Sequence, residues 1–166
     1  MLHGMIYAER HEQLKEDPSN SFRNEIRSYF GTGTQLQEMY ITPSLLSTQN
    51  WDDLAEAAKW SRSNADVLKD THWVGGDPAW EEVYGWASWS PKKAILVLRN
   101  PSDKPQSIRL DPQAIFELPQ GAAGSFSGHS PWKEDASKPT VALRAGVAYE
   151  FQLAPFEVLT LDVIPR

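Results

Sequence analysis

The chain has 166 residues, 40% of them hydrophobic, enough for one ordinary domain or two small ones and with no compositional sign of disorder. Its formal charge of −6 argues against nucleic acid as a partner, because phosphate binding needs clustered Lys and Arg. The lack of Cys excludes disulfides, a thiol nucleophile and thiolate metal sites but leaves the compartment open, and no apolar run approaches the roughly 20 residues of a membrane span.

The acidity is uneven: residues 1–80 carry 7 basic and 12 acidic side chains, residues 81–166 carry 9 and 10. The N-terminal MLHGMIYAERHE runs straight into charge and does not read as a signal peptide. Leu2 to Ala8 reads as a short strand, apolar on both faces apart from His3 and Gly4, as suits a buried parallel strand. Polar residues through Asp17-Pro18-Ser19-Asn20 lead to a helix near Ser21 to Phe30, with Phe22, Ile26 and Tyr29/Phe30 at helical spacing and Gly31 as its C′ residue. A second strand, Gln35 to Ile41, ends at Thr42-Pro43. A helix is then expected from about Trp51 to Leu68, capped by Asn50, with Asp52 and Asp53 in its first turn.

Strand, helix, strand, helix is the order of a parallel βαβα unit. Two parallel strands leave sheet edges unpaired, so these residues read as the last quarter of a larger α/β barrel or sheet, with a small complete α+β domain as the alternative. The stretch Asp70 to Asn100 then changes character, holding four of the seven Trp, at 73, 80, 86 and 89, around a GGDP turn. An aromatic cluster there would join two units by burying apolar area. From Glu82 the pattern becomes short alternating strands: Val83 to Trp89, Ala94 to Arg99, Gln106 to Asp111, Ala114 to Leu118, Thr140 to Arg144, Val147 to Leu153 and Glu157 to Ile164. Pro- and Gly-bearing turns separate them, the pattern of an antiparallel β-sandwich with no internal helix. The expected fold is α+β by segments: residues 1–72 a βαβα remnant of a barrel, 73–81 a Trp-rich seam, 82–166 the sandwich.

The motifs GTGTQLQEMYITPSLLS, WDDLAEAAKWSRSNADVLKDTHWVGGDP and VYGWASWSPKKAILVLRNPSDKPQ resemble the C-terminal end of bacterial α-galactosidase-like glycoside hydrolases, some of which carry the label enterotoxin. In that group a (β/α)8 catalytic barrel precedes an antiparallel β-sandwich, and LAPFEVLTLDVIP is similar to such a domain's final strand. The resemblance implies that Leu2 to Ala8 and Gln35 to Ile41 are the seventh and eighth barrel strands and Trp51 to Leu68 the last barrel helix. It also implies an Asp nucleophile and an Asp acid/base on the fourth and sixth strands, to which nothing in this chain corresponds. A retaining mechanism needs two carboxyl groups about 5–5.5 Å apart, and no such pair is evident, so no catalytic residue is expected in this chain. A compartment outside the cytoplasm, secreted or periplasmic, is what the parent enzyme would suggest.

Barrel enzymes place their chemistry at the C-terminal strand ends, which makes His3, Tyr7, Gln37, Glu38 and Tyr40 the candidates for contacting sugar hydroxyls, with packing inside the barrel as the alternative. Trp132, in the loop-like GHSPWKEDASK, is the candidate for an exposed sugar-stacking ring. Asp70, His72 and Asp77 are read as turn formers rather than a metal site, since tetrahedral ligation needs further ligands. Ser88, Ser90 and Ser130 lack a G-x-S-x-G context. Neither a cofactor nor a metal is expected. The expected partners are carbohydrate and either a second copy or another chain covering the residue 1–70 face. A free-standing carbohydrate-binding or structural module is the alternative function.

Overall fold

Parallel pairing near the N-terminus and antiparallel pairing thereafter divide the strands of this protein, whose computed structural model describes residues 2–6, 20–33 and 37–166. Strands β1 (Leu2–Ile6) and β2 (Gln37–Ile41) run parallel, with His3 in register with Glu38 and Met5 with Tyr40. Tyr7, the Glu9-to-Ser19 stretch and Gln35 lie outside the described residues.

Helix α1 (Ser21–Gly31) lies between the two strands in sequence and buries Phe22, Ile26, Tyr29 and Phe30, as their spacing requires. Gly31 is its last residue rather than its C′, and a Cβ there would sit 2.7 Å from a Val97 methyl, so this glycine lets the helix end press onto the sheet. Helix α2 (Thr48–Ser63) starts earlier than Trp51. Ser47 is its cap and Asn50 its third residue, each bonded to the other's backbone in a reciprocal capping box. Asn64 then breaks the expected single helix, and α3 (Ala65–Leu68) follows as one turn.

The remaining strands form two antiparallel sheets. One has the order β3 (Thr71–Gly75), β4 (Tyr84–Ser90), β5 (Lys93–Arg99), β10 (Val158–Pro165), β7 (Ser125–His129), β8 (Val141–Arg144). The other pairs β6 (Gln106–Leu110) with β9 (Tyr149–Leu153). Trp73 therefore belongs to an edge strand paired with β4, not only to a connecting seam. Ala114 to Leu118 is not a strand. Asp111 caps the Gln113 N–H at 2.9 Å and Pro112 occupies the first helical position, opening α4 (Pro112–Ile115).

Strand β5 shows how the layers are arranged, since the period of two sends its side chains alternately to opposite faces. Ala94, Leu96 and Leu98 join a core with Phe116, Phe126, Phe151 and Leu161, between the large sheet and the β6–β9 pair. Ile95 and Val97 join a second core with Phe22, Ile26, Ala57, Trp60 and Trp132, between the same sheet and the helices. Met39 of β2 packs against that second core, which puts the parallel pair on the far side of the helices. The protein is thus α+β with a mostly antiparallel sheet covered on both faces.

Candidate functional site

Strand alternation sets the polar face of β2. Met39 points into the helix layer, so Glu38 and Tyr40 project from the opposite face. Tyr40 is 48% exposed and its hydroxyl donates to Glu38 Oε1 at 2.9 Å. This hydrogen bond, followed by the carboxylate's charge, raises the phenol above its ordinary value. The Tyr29 hydroxyl donates to the Glu38 carbonyl at 3.0 Å, tying α1 to β2. Gln37, on the Met39 side, keeps a buried Nε2 without an acceptor among the described residues. His3 is placed by register alone, and Tyr7 lies outside the described residues. Of the predicted residues the fold therefore brings Glu38 and Tyr40 together as a hydrogen-bonded pair of a half-buried carboxylate and an exposed phenol. Such a pair can hydrogen-bond hydroxyl groups. Glu38 is the one carboxylate on β1 and β2 as described, so these strands supply no acid–nucleophile couple.

Trp132 is a correction to the sequence reading: it is 2% exposed, not a surface ring. Its indole packs 5.3 Å from Trp60, and the Arg27 guanidinium lies 4.3 Å from its centroid. Glu134 accepts from Arg27, in a short contact, and from Arg23 at 3.1 Å, while Arg23 also reaches Asp53 at 3.4 Å. Burial alone would raise the Glu134 carboxyl, but the hydrogen bond from Arg27 and the two arginine charges outweigh it and leave the group below its ordinary value. Asp135 is likewise lowered against burial, by Ser130 and Lys138. These residues fasten the 130–138 loop to α1 and α2. They also border a cleft of about 690 Å³, lined by Arg23, Asp52, Asp53, Lys59 and Glu134, in which ion pairs already occupy the Arg23, Asp53 and Glu134 charges.

Of the three residues read as turn formers, Asp70 is exposed, His72 lies in β3 instead, and His72 and Asp77 have internal partners. His72 Nε2 lies 2.6 Å from the Ile115 carbonyl, and Asp77 accepts from the Ala79 N–H at 2.8 Å. Ser88 pairs with Thr71, Ser90 with Lys93 and Ser130 with Asp135. No group of three metal-ligating side chains occurs among the described residues.

Sequence reasoning grouped Trp73 and Trp86 in an aromatic cluster that could stack on sugars but favoured seam packing, and it did not place Trp73 on a strand; the structure puts these rings on a surface at the β3–β4 edge. Trp73 and Trp86 are directly opposed across the two strands, and Tyr84 shares their face. The Trp73 ring stacks on Tyr84 at 4.8 Å and 7°, and Trp86 meets both edge-on, at 5.8 and 5.6 Å. Trp73 is 49% exposed. Tyr84 is in register with Arg99 of β5, whose guanidinium donates to both oxygens of Glu25 on α1, one bond measuring 3.0 Å. The signal available in sequence was the alternation Tyr84-x-Trp86 opposite Trp73, which becomes legible once Thr71–Gly75 is recognised as a strand.

No protein-family profile and no curated protein sequence matches the chain. Solved structures do. A noncanonic maltogenic α-amylase from Thermotoga neapolitana superposes with a TM-score of 0.64 at 13% identity, over 99% of this chain and 41% of that one. An α-galactosidase from Saccharomyces cerevisiae, solved with raffinose, gives 0.59 at 9% identity, over 89% and 44%. A GH27 β-L-arabinopyranosidase from Geobacillus stearothermophilus gives 0.56 at 12%, over 88% and 30%. The chain spans less than half the length of these structures, and identities this low establish likeness of fold alone.

Proposed function

We propose that this chain is the C-terminal part of a glycoside hydrolase, in which β1, α1, β2 and α2 close a (β/α)8 barrel and β3 to β10 form the accessory antiparallel domain, and that it performs no catalysis by itself. The observation that carries this reading is the placement of α1 and α2: they lie between a parallel strand pair and the antiparallel sheet, as outer barrel helices do when a second domain packs on them. Coverage of most of this chain but a minority of each glycoside hydrolase supports it. In this reading Glu38 and Tyr40 face the barrel interior, where they would hold substrate hydroxyls while carboxylates from other strands do the chemistry. Losing general acid assistance alone costs about 10²–10⁴-fold in rate, so the purified 166-residue chain is expected to leave aryl α-galactosides and maltooligosaccharides uncleaved. Turnover by the chain that disappears in Glu38→Gln would refute the assignment.

A further inference from the structure

We propose that the Trp73 face of the large sheet, at its β3–β4 edge, is a binding platform for a neutral pyranoside, separate from the β2 polar face; the inference rests on the reading of the chain as part of a glycoside hydrolase. A pyranose presents an apolar C–H face bordered by hydroxyls, and the exposed indole of Trp73 matches that apolar face. Tyr84 backs the Trp73 indole in parallel and Trp86 braces both rings edge-on, so the platform is held in place before any ligand arrives. With one face of Trp73 covered and the residue still 49% exposed, the open area belongs to its other face and edge. Arg99 and Glu25, joined by two hydrogen bonds, lie across Tyr84 from Trp73, and their charges cancel, which favours a neutral ligand over an anion.

The test is calorimetric titration of the full 166-residue chain with methyl α-galactopyranoside, raffinose and maltotriose, the first two distinguishing galactosides from α-glucans. Saturable binding in the millimolar range by at least one of them is expected. Trp73→Ala should weaken it about tenfold or more, the loss common on removing an anchoring aromatic. Trp73→Phe should retain most of it, and Trp80→Ala, which removes an exposed indole outside the cluster, should leave it unchanged. If Trp73→Ala fails to fold, perturbation of the Trp73 indole N–H resonance by sugar in the wild-type chain replaces it. Absence of saturable binding, or binding indifferent to Trp73, overturns the platform. Neither result bears on the barrel assignment, which predicts only that the chain does not cleave these sugars.

Discussion

Trp132 shows what one residue costs and what hides it. Truncating a buried Trp to Ala removes about 3–5 kcal/mol, but the Trp132 Nε1 has no acceptor among the described residues, and deleting an unsatisfied donor recovers part of that sum. We therefore expect Trp132→Ala to lower unfolding stability by about 3 kcal/mol and Trp132→Phe, which keeps ring packing without the orphan donor, by less than about 1.5 kcal/mol. Urea denaturation compares them, and an equal loss in both variants would show that the N–H matters after all. The sequence could not place this ring. GHSPWKEDASK is polar on either side of it, and what buries it comes from Arg27 and Trp60, far away in sequence. Glu38 and Tyr40 were legible as separate candidates on a strand, and it is strand alternation that puts them on one face, whereas Trp73 was recognised as aromatic but not as a strand residue.

At the scale of elements, the 130–138 loop acts as a latch whose strength depends on pH. The folded-state pKa of Glu134 lies below its ordinary value of 4.5, and that of Asp135 below 3.8, so both stabilise the fold above those values and lose the contribution as pH falls through the lowered ones. Melting temperature should thus fall on acidification below about pH 4.5. Glu134→Gln should begin less stable at neutral pH and show a smaller acid loss; parallel curves for the two proteins would remove Glu134 from the latch. The elements the sequence missed have physical reasons. Strand β7, Ser-Phe-Ser-Gly-His, has one large apolar residue and forms because β10 pairs with it, while Ala114 to Leu118 alternates like a strand but follows Asp-Pro, a helix start. β4, β5 and β10 carried dense β-branched, aromatic and aliphatic patterns and were read nearly in full.

At the scale of the molecule, the sheet β3-β4-β5-β10-β7-β8 has both faces occupied near its centre, by the helices on one side and β6–β9 on the other. The β1–β2 pair has no comparable support among the described residues: it is two parallel strands, covered by helices on the Met39 side, with Glu38 and Tyr40 on the other. Parallel sheets are ordinarily covered on both faces, and open strand edges recruit further strands. Apolar periodicity and turn residues carried the division into helical and strand-rich segments but not this asymmetry, which depends on which face of β2 meets α1. The barrel assignment requires that the Glu38 and Tyr40 side be completed by other strands, whether from the rest of the parent enzyme, from a second copy or from a partner chain. Sedimentation equilibrium of the purified 166-residue chain at micromolar concentration tests this most directly. The account predicts a dimer or larger assembly that involves β1 and β2, and a fully folded monomer with β1 and β2 amides as protected from hydrogen exchange as those of β5 would contradict it.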